Sequence, residues 1–224
     1  MHEVLQNSPL FAKLDAEASD SLLASMASKH VIKGQIIFHE AEPGDTLYVI
    51  LEGKVKLGHG SPDGRESLMA VLGPGEMFGE LSLFDPGKRT STATALTDAV
   101  VLELSNPQLM PWLAGRPEVA AALLQALARR LRRTNDAMAD LVFSDVPGRV
   151  AKALMELGEK FGTATPEGLL VTHDMTQEEL AQLVGASRET VNKALADFTQ
   201  RGWIRLESRQ VVILDVERLG KRAR

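Results

Sequence analysis

The stretch "FGELSLFDPGKRTSTA" (Phe78–Ala93) sets a glycine and an acid, Gly79-Glu80, at one end and an arginine with hydroxyls, Arg89-Thr90-Ser91, at the other. Arginine offers a planar fork of donors to an anion such as a phosphate. A carboxylate accepts from a hydroxyl, and glycine lets backbone N–H groups approach whatever lies between. A bare Glu–Arg ion pair at a barrel rim would account for the two charges. It would require neither Gly79 nor the paired hydroxyls.

A second group of reactive side chains lies in "MTQEELAQLVGASRETVNKALADFTQRGWI", from Met175. Thr176 and Glu179 form a capping box, so a helix starts at Gln177. Leu180, Leu183 and Val184 make its apolar face, and Ala181 permits a close crossing. Gly185 supplies the left-handed residue that ends the helix. Ser187 caps a second helix whose Val191, Leu195 and Phe198 face inward. Two helices on a short glycine turn are a helix-turn-helix. "WIRLESRQVVIL" (Trp203–Leu214) then reads as strand, turn, strand, a wing. In this motif the start of the second helix meets base edges in the major groove. Here that places Arg188, Glu189, Asn192 and Lys193 at the bases, with Ser187 and Thr190 suited to phosphates. Arg bonds guanine bidentately and Glu accepts from cytosine N4. The bland alternative is a helical pair with Arg188 and Glu189 solvated; cap, glycine, second cap and wing together favour DNA.

The elements that must position these groups follow from pattern. From Val31 to about Leu104, short β-rich segments (Gln35–His39, Thr46–Leu51, Lys54–Leu57, Ser67–Val71, Ala99–Leu104) alternate with glycines, and "SPDG" (Ser61–Gly64) signals a hairpin turn. This is the texture of an antiparallel barrel or jelly roll. Residues 3–29 read as short helical turns with Leu22, Leu23 and Met26 on one face. Between Glu118 and Phe143 the chain has neither Gly nor Pro. Ala120, Leu124, Leu127, Leu131, Thr134, Met138 and Leu141 follow strict heptad spacing, the seam of two supercoiled helices. Arg129, Arg130, Arg132 and Arg133 flank it. A helix packed on its own domain is the competing reading. Thr134, followed by Asn135, breaks the apolar rule of the seam. "SDVPG" (Ser144–Gly148) opens a further helix, with Asp145 as cap and Pro147 in its first turn, running to about Phe161. "GTATPEG" (Gly162–Gly168) reads as a loop.

These elements give an α+β chain with three parts. Residues 1–115 form an antiparallel β-roll, jelly-roll-like. Residues 116–144 form a long helix that dimerises through Leu124, Leu127, Leu131, Met138 and Leu141. Residues 145–224 form a winged helix-turn-helix. The charge is uneven: residues 1–115 carry 8 Lys and Arg against 15 Asp and Glu, a net of -7, and the remainder 17 against 15, a net of +2. The halves are expected to have different partners. With no cysteine, disulfides, thiolate metal sites and cysteine-ligated iron–sulfur clusters are excluded. His2, His30, His39, His59 and His173 show no ligand spacing, so neither a metal site nor an enzyme is expected. The N-terminus lacks a signal-peptide pattern, and no apolar run approaches the ~20 residues needed to span a bilayer. The expected location is the cytoplasm, with no membrane partner.

The order of these parts, with "RRLRRTN" (Arg129–Asn135), "DVPGRVAK" (Asp145–Lys152) and "TQEELAQLVGASRETVNKALADF" (Thr176–Phe198), closely resembles the cyclic AMP receptor protein family, the CRP/FNR superfamily, and most of all its actinobacterial members. The resemblance implies a regulator that is not an enzyme: a homodimer whose binding to double-stranded DNA responds to cyclic AMP, and which meets RNA polymerase. It implies a phosphate-binding cassette in which Gly79 admits backbone donors and Glu80 accepts from the ribose 2′-OH. Arg89 pairs with the cyclic phosphate, Thr90 bonds to it, and Leu81 and Ser82 add backbone contacts. Thr134 would contact the adenine of its own subunit's ligand and Asn135 that of the partner. Thr176, Gln177, Ser187, Arg188, Glu189, Thr190, Asn192 and Lys193 would meet a TGTGA/TCACA-type palindrome. Thr90 and Asn135 stand where many members carry serine, and Lys193 replaces an arginine of the best-known member. The alternative reading is a constitutive or weakly ligand-dependent DNA-binding protein whose pocket is poorly coupled or suited to another ligand.

Overall fold

The structure, a computed structural model, describes residues 2–60, 66–85 and 87–223. The hairpin turn expected at Ser61–Gly64 lies outside the described residues. The described residues pack as two compact units, one made of the chain up to Glu66 and of Ala70–Arg133, the other of Ser67–Met69 and of the chain from Thr134 onward.

In the first unit, helices α1 (His2–Gln6) and α2 (Ala16–Ser25) precede strands β1 (Ala27–Val31), β2 (Ile36–Phe38), β3 (Pro43–Gly44), β4 (Thr46–Glu52), β5 (Val55–Gly60), β6 (Glu66–Leu72) and β7 (Met77–Phe78). A short helix α3 (Leu81–Phe84) follows, then β8 (Gly87–Lys88), β9 (Thr92–Ala95), β10 (Ala99–Ser105), α4 (Asn106–Ala114) and the long α5 (Pro117–Phe143). The strands form two four-stranded sheets, β1-β10-β4-β7 and β2-β9-β5-β6, with β3-β8 as a separate pair. β4 is buried on both faces because each face meets a different core. Leu47 and Val49 pack with Leu5, Leu10, Phe11 and Leu22 of the N-terminal segment and with Val119 and Leu123 of α5. Tyr48 and Ile50 pack between the sheets with Phe38, Val55, Leu57, Leu72, Phe78 and Val101. This is the strand's alternation of side chains with both sides covered.

One boundary and four short strands of this unit differ from the sequence reading. Helix ends at Ser25, and residues from Ala27 already pair with β10. β3, β7, β8 and β9 were not foreseen; each is two to four residues long and exists through its partner strand.

α5 buries Val119, Ala122 and Leu123 against its own unit. The competing reading of this helix therefore holds for its first turns. Beyond them the expected seam is uncovered: Leu124, Leu131, Met138 and Leu141 are 67%, 62%, 62% and 57% exposed, while Leu127 is half-buried.

The second unit contains α6 (Val146–Phe161), β11 (Gly162–Thr165), β12 (Gly168–Thr172), α7 (Gln177–Val184), α8 (Arg188–Gln200), β13 (Ile204–Glu207), β14 (Gln210–Ile213) and α9 (Val216–Arg222). Its sheet runs β11-β12-β14-β13. Asp145 Oδ1 accepts from the Gly148 N–H at 2.9 Å, capping α6. The segment read as a loop, Gly162–Gly168, is a hairpin: β11 pairs with β12 from Gly162↔Val171 to Thr165↔Gly168. Pro166 and Glu167 make the turn, and the β-branched Thr163 and Thr165 suit a strand.

Candidate functional site

Gly79 follows β7 with φ 78°, a conformation costly for any residue with a Cβ. Space demands glycine as well: a Cβ there would lie 2.8 Å from Arg89 Nη1 and 2.9 Å from the Thr46 carbonyl oxygen. Gly44 is required for the same side chain, since its Cβ would meet Arg89 Nε at 2.2 Å. Two glycines thus make room for one guanidinium.

Arg89 is buried, 6% exposed. Its Nη1 donates to the Gly79 carbonyl at 2.8 Å and to Ser82 Oγ at 3.0 Å, and its Cζ stands 4.2 Å from the centre of the Phe38 ring. Burial pushes the guanidinium below its ordinary pKa; Tyr48, Asp45, Glu80 and Glu42 oppose that shift. Its Nε has no hydrogen-bond partner. Glu80 is 1% exposed, and its Oε2 is likewise buried without a partner. Native interiors rarely leave such atoms unpaired. A charged donor and a charged acceptor, both unfilled, line one cleft with Leu81, Ser82, Thr90, Ser91 and Arg130. Ser82 and Ser91 are buried, whereas Thr90 and Leu81 are exposed.

Glu80 does not pair with Arg89: Arg130 Nη1 donates to Glu80 Oε1 at 2.6 Å. Arg130 had been read only as a residue flanking the seam. The sequence held one clue, since Arg130 lies one helical turn before Thr134 on the same face. Thr134 and Asn135 are exposed residues of α5 at the start of the second unit.

In the second unit, Thr176 Oγ1 accepts from the Glu179 N–H at 3.1 Å, and Glu179 Oε2 accepts from the Thr176 N–H at 2.7 Å. Gly185 adopts φ 64°, ψ 47° as the C-cap of α7. Ser187 Oγ accepts from the Thr190 N–H at 3.2 Å, capping α8. Val191, Ala194, Leu195 and Phe198 are buried; Leu183 of α7 is only half-buried. The outer surface presents Thr176, Gln177, Ser187, Arg188, Glu189, Thr190 and Lys193, all exposed. Asn192 differs: it is half-buried and its Oδ1 is buried without a partner. The wing follows as β13 and β14.

Arg149 joins the end of α5 to this motif. Its Nη1 donates to the Ser144 carbonyl at 2.7 Å and its Nε to the Val184 carbonyl, at the end of α7, at 2.9 Å. Lys152 Nζ bonds Asp140 of α5. Among the described residues, no group of three or more His, Asp or Glu side chains is arranged to hold a metal ion, and no helix is long and apolar enough to cross a membrane.

Comparison with known proteins finds a family match in each part of the chain. Residues 28–115 match the cyclic nucleotide-binding domain, and residues 148–222 match the Crp-like helix-turn-helix domain. The chain is 54% identical over 224 residues to the CRP-like cAMP-activated global transcriptional regulator of Mycobacterium tuberculosis, covering 100% of both chains. It is 35% identical over 216 residues to the cyclic AMP receptor protein of Thermus thermophilus, covering 94% of this chain and 97% of that one. A solved CRP-family regulator from Thermus thermophilus superposes with TM-score 0.74 at 30% identity, over 87% of this chain and 96% of that one.

Proposed function

Because the chain belongs to the CRP family of transcriptional regulators, we propose that it is a homodimeric, cytoplasmic regulator whose binding to double-stranded DNA is controlled by cyclic AMP. One observation carries the ligand reading. The cassette buries Arg89 Nε and Glu80 Oε2, a charged donor and a charged acceptor, with neither filled. A cyclic nucleotide offers one anionic phosphate and one free ribose hydroxyl, the two groups these atoms lack. In this reading Arg89 and Thr90 hold the phosphate and Glu80 accepts from the 2′-OH. Gly79, Leu81 and Ser82 offer backbone contacts, and Thr134 and Asn135 read the base.

The heptad supports the place of Asn135. With Leu124, Leu131 and Met138 at a and Leu127, Thr134 and Leu141 at d, Arg130 occupies g and Asn135 the following e. In a parallel two-stranded coil a g residue faces the e residue of the other helix. Asn135 of the partner subunit therefore meets Arg130, which itself bonds Glu80. Ligand, helix pairing and the Arg149 link to α7 then form one two-state element that the nucleotide biases.

The DNA reading follows the family: a TGTGA/TCACA-type palindrome, with half-sites about 10–10.5 bp apart read by Arg188, Glu189, Asn192 and Lys193. RNA polymerase is the further partner. The deciding experiment is fluorescence anisotropy of a labelled TGTGA-N6-TCACA duplex at fixed salt, with and without cyclic AMP. The expected result is nucleotide-dependent tightening. A second reading has its own support: protein groups already engage both charges, Arg130 bonding Glu80, and the Gly79 carbonyl and Ser82 bonding Arg89. Tight binding unaffected by nucleotide would establish that reading, a regulator with a poorly coupled pocket.

A further inference from the structure

One short stretch of chain, Phe38 to Gly44, grips Arg89 by its backbone and its side chain together. The Ala41 N–H donates to the Arg89 carbonyl at 2.9 Å, and the Arg89 N–H donates to the Glu42 carbonyl at 2.7 Å. Ala41 is left-handed, φ 66°, a conformation that a residue with a Cβ keeps only where its surroundings over-determine it. Pro43 and Gly44 pair with Lys88 and Gly87. At the head of the stretch the Phe38 ring lies against the guanidinium, its centroid 4.2 Å from Arg89 Cζ. That ring is 8% exposed and is backed by Tyr48 and Phe78, with centroids at 5.7 and 5.9 Å. A branched aliphatic residue would serve a purely apolar core here. The charge beside it gives the aromatic face a use.

The acceptors that Arg89 Nη1 bonds, the Gly79 carbonyl and the Ser82 hydroxyl, are both neutral, and Glu80 is bonded by Arg130. Asp45, Glu80 and Glu42 nevertheless act on the guanidinium from nearby. A fork free to turn would settle on one of these acids, and an incoming anion would have to displace it. An aromatic face attracts the cation through its quadrupole. It occupies none of the N–H donors and adds no negative charge. We propose that Phe38 is a positioning residue of the cassette: its ring fixes the plane of the Arg89 fork and leaves Nε for the anion. This rests on the cyclic-nucleotide function proposed above. A fork fixed before binding lowers the ordering cost of binding, so the ring raises affinity through Arg89.

The test is titration calorimetry of the full-length chain with cyclic AMP. It compares wild type, Phe38→Leu and three chains whose residue 38 is a phenylalanine bearing one, two or three ring fluorines. Fluorine drains the negative face of the ring while keeping its shape and its apolar character. A residue that only packs would therefore give a flat series. A residue that holds the cation is expected to give a stepwise fall in affinity, about tenfold in all at three fluorines. Phe38→Leu should fall at least as far. Leucine also leaves a void beside Tyr48, whereas the fluorinated rings leave none, so the series decides on a folded chain, checked by circular dichroism. A flat series overturns the inference whatever Phe38→Leu does, since it makes Phe38 a packing residue. Wild type that does not bind cyclic AMP overturns the nucleotide function itself, and the inference with it.

Discussion

Arg130 Nη1 donates to Glu80 Oε1 at 2.6 Å, across fifty positions of sequence, and so ties the long helix to the acid of the cassette. Glu80 is 1% exposed whereas the Arg130 side chain is 39% exposed. Removing Arg130 therefore leaves a buried carboxylate without its cation. Arg130→Ala is expected to lower stability by about 1–3 kcal/mol. Glu80→Gln in the same background should recover part of that loss, because the pair is coupled. Urea unfolding of the two single variants and the double variant checks this; strict additivity would mean that the pair carries no net interaction.

Arg89→Ala is expected to abolish cyclic-nucleotide binding while leaving a folded dimer. Arg89→Lys should fail almost as badly, because an ammonium keeps the charge but loses the fork that spans Gly79, Ser82 and an anion. Titration calorimetry with cyclic AMP reads affinity, and circular dichroism reads the fold. Unchanged affinity in Arg89→Ala would remove the phosphate from this cassette.

What the sequence made legible was local. Caps at Asp145, Thr176 and Ser187 and the turn at Gly185 are set by neighbours a few residues away, and each lies where the side-chain pattern put it. The features it hid are long-range. β1 reads "ASKHV" with only Val31 buried, so nothing in its own pattern marks it as a strand; pairing with β10 makes it one. The hairpin at Gly162–Gly168 was masked by its turn residues. Gly44 reads as turn punctuation, yet its missing Cβ is what admits Arg89. Arg130 sits in an arginine run, and its place one turn before Thr134 marks the face it shares but not its partner Glu80, fifty positions away.

Acid should act on the joint before α6. Arg222 Nη2 donates to both carboxylate oxygens of Asp145, at 2.7 and 2.6 Å. That bond first, and the Gly148 N–H second, hold the Asp145 carboxyl below its ordinary range. A carboxyl depressed on folding contributes stability that is complete above its unfolded pKa, about 3.9, and is lost as pH falls through the folded value. Wild type should therefore exceed Arg222→Gln in stability above about pH 4, and the gap should close below it. Asp145 is mostly exposed, so the gap is small, on the order of 0.5 kcal/mol. Urea midpoints across pH decide it; a gap that persists in acid would assign Arg222 to packing instead.

Glu189 stands exposed in the first turn of α8, where a carboxylate can accept from cytosine N4. Glu189→Ala is expected to relax preference at one base pair of each half-site, lowering discrimination there by about 1–3 kcal/mol. Competition between single-base variants of the palindrome measures it. An equal loss on every sequence would make Glu189 a structural residue of the helix start.

The uncovered seam of α5 makes the last prediction. Leu124, Leu131, Met138 and Leu141 lie in one heptad register and stand more than half exposed, an apolar ridge that a lone chain would leave in water. Folding of the protomer does not require them, since α5 is anchored to its unit through Val119, Ala122 and Leu123. Leu131→Glu places a charge at an a position, where two copies would face each other across a dry interface. The expected product is a folded monomer. Sedimentation velocity should give a dimer for wild type and a monomer for the variant, at equal far-ultraviolet dichroism. Affinity for the palindrome should fall toward that of an isolated half-site, because two-fold pairing of sites mirrors two-fold pairing of chains. A variant that stays dimeric would move the interface off this ridge, and with it the part proposed for Asn135.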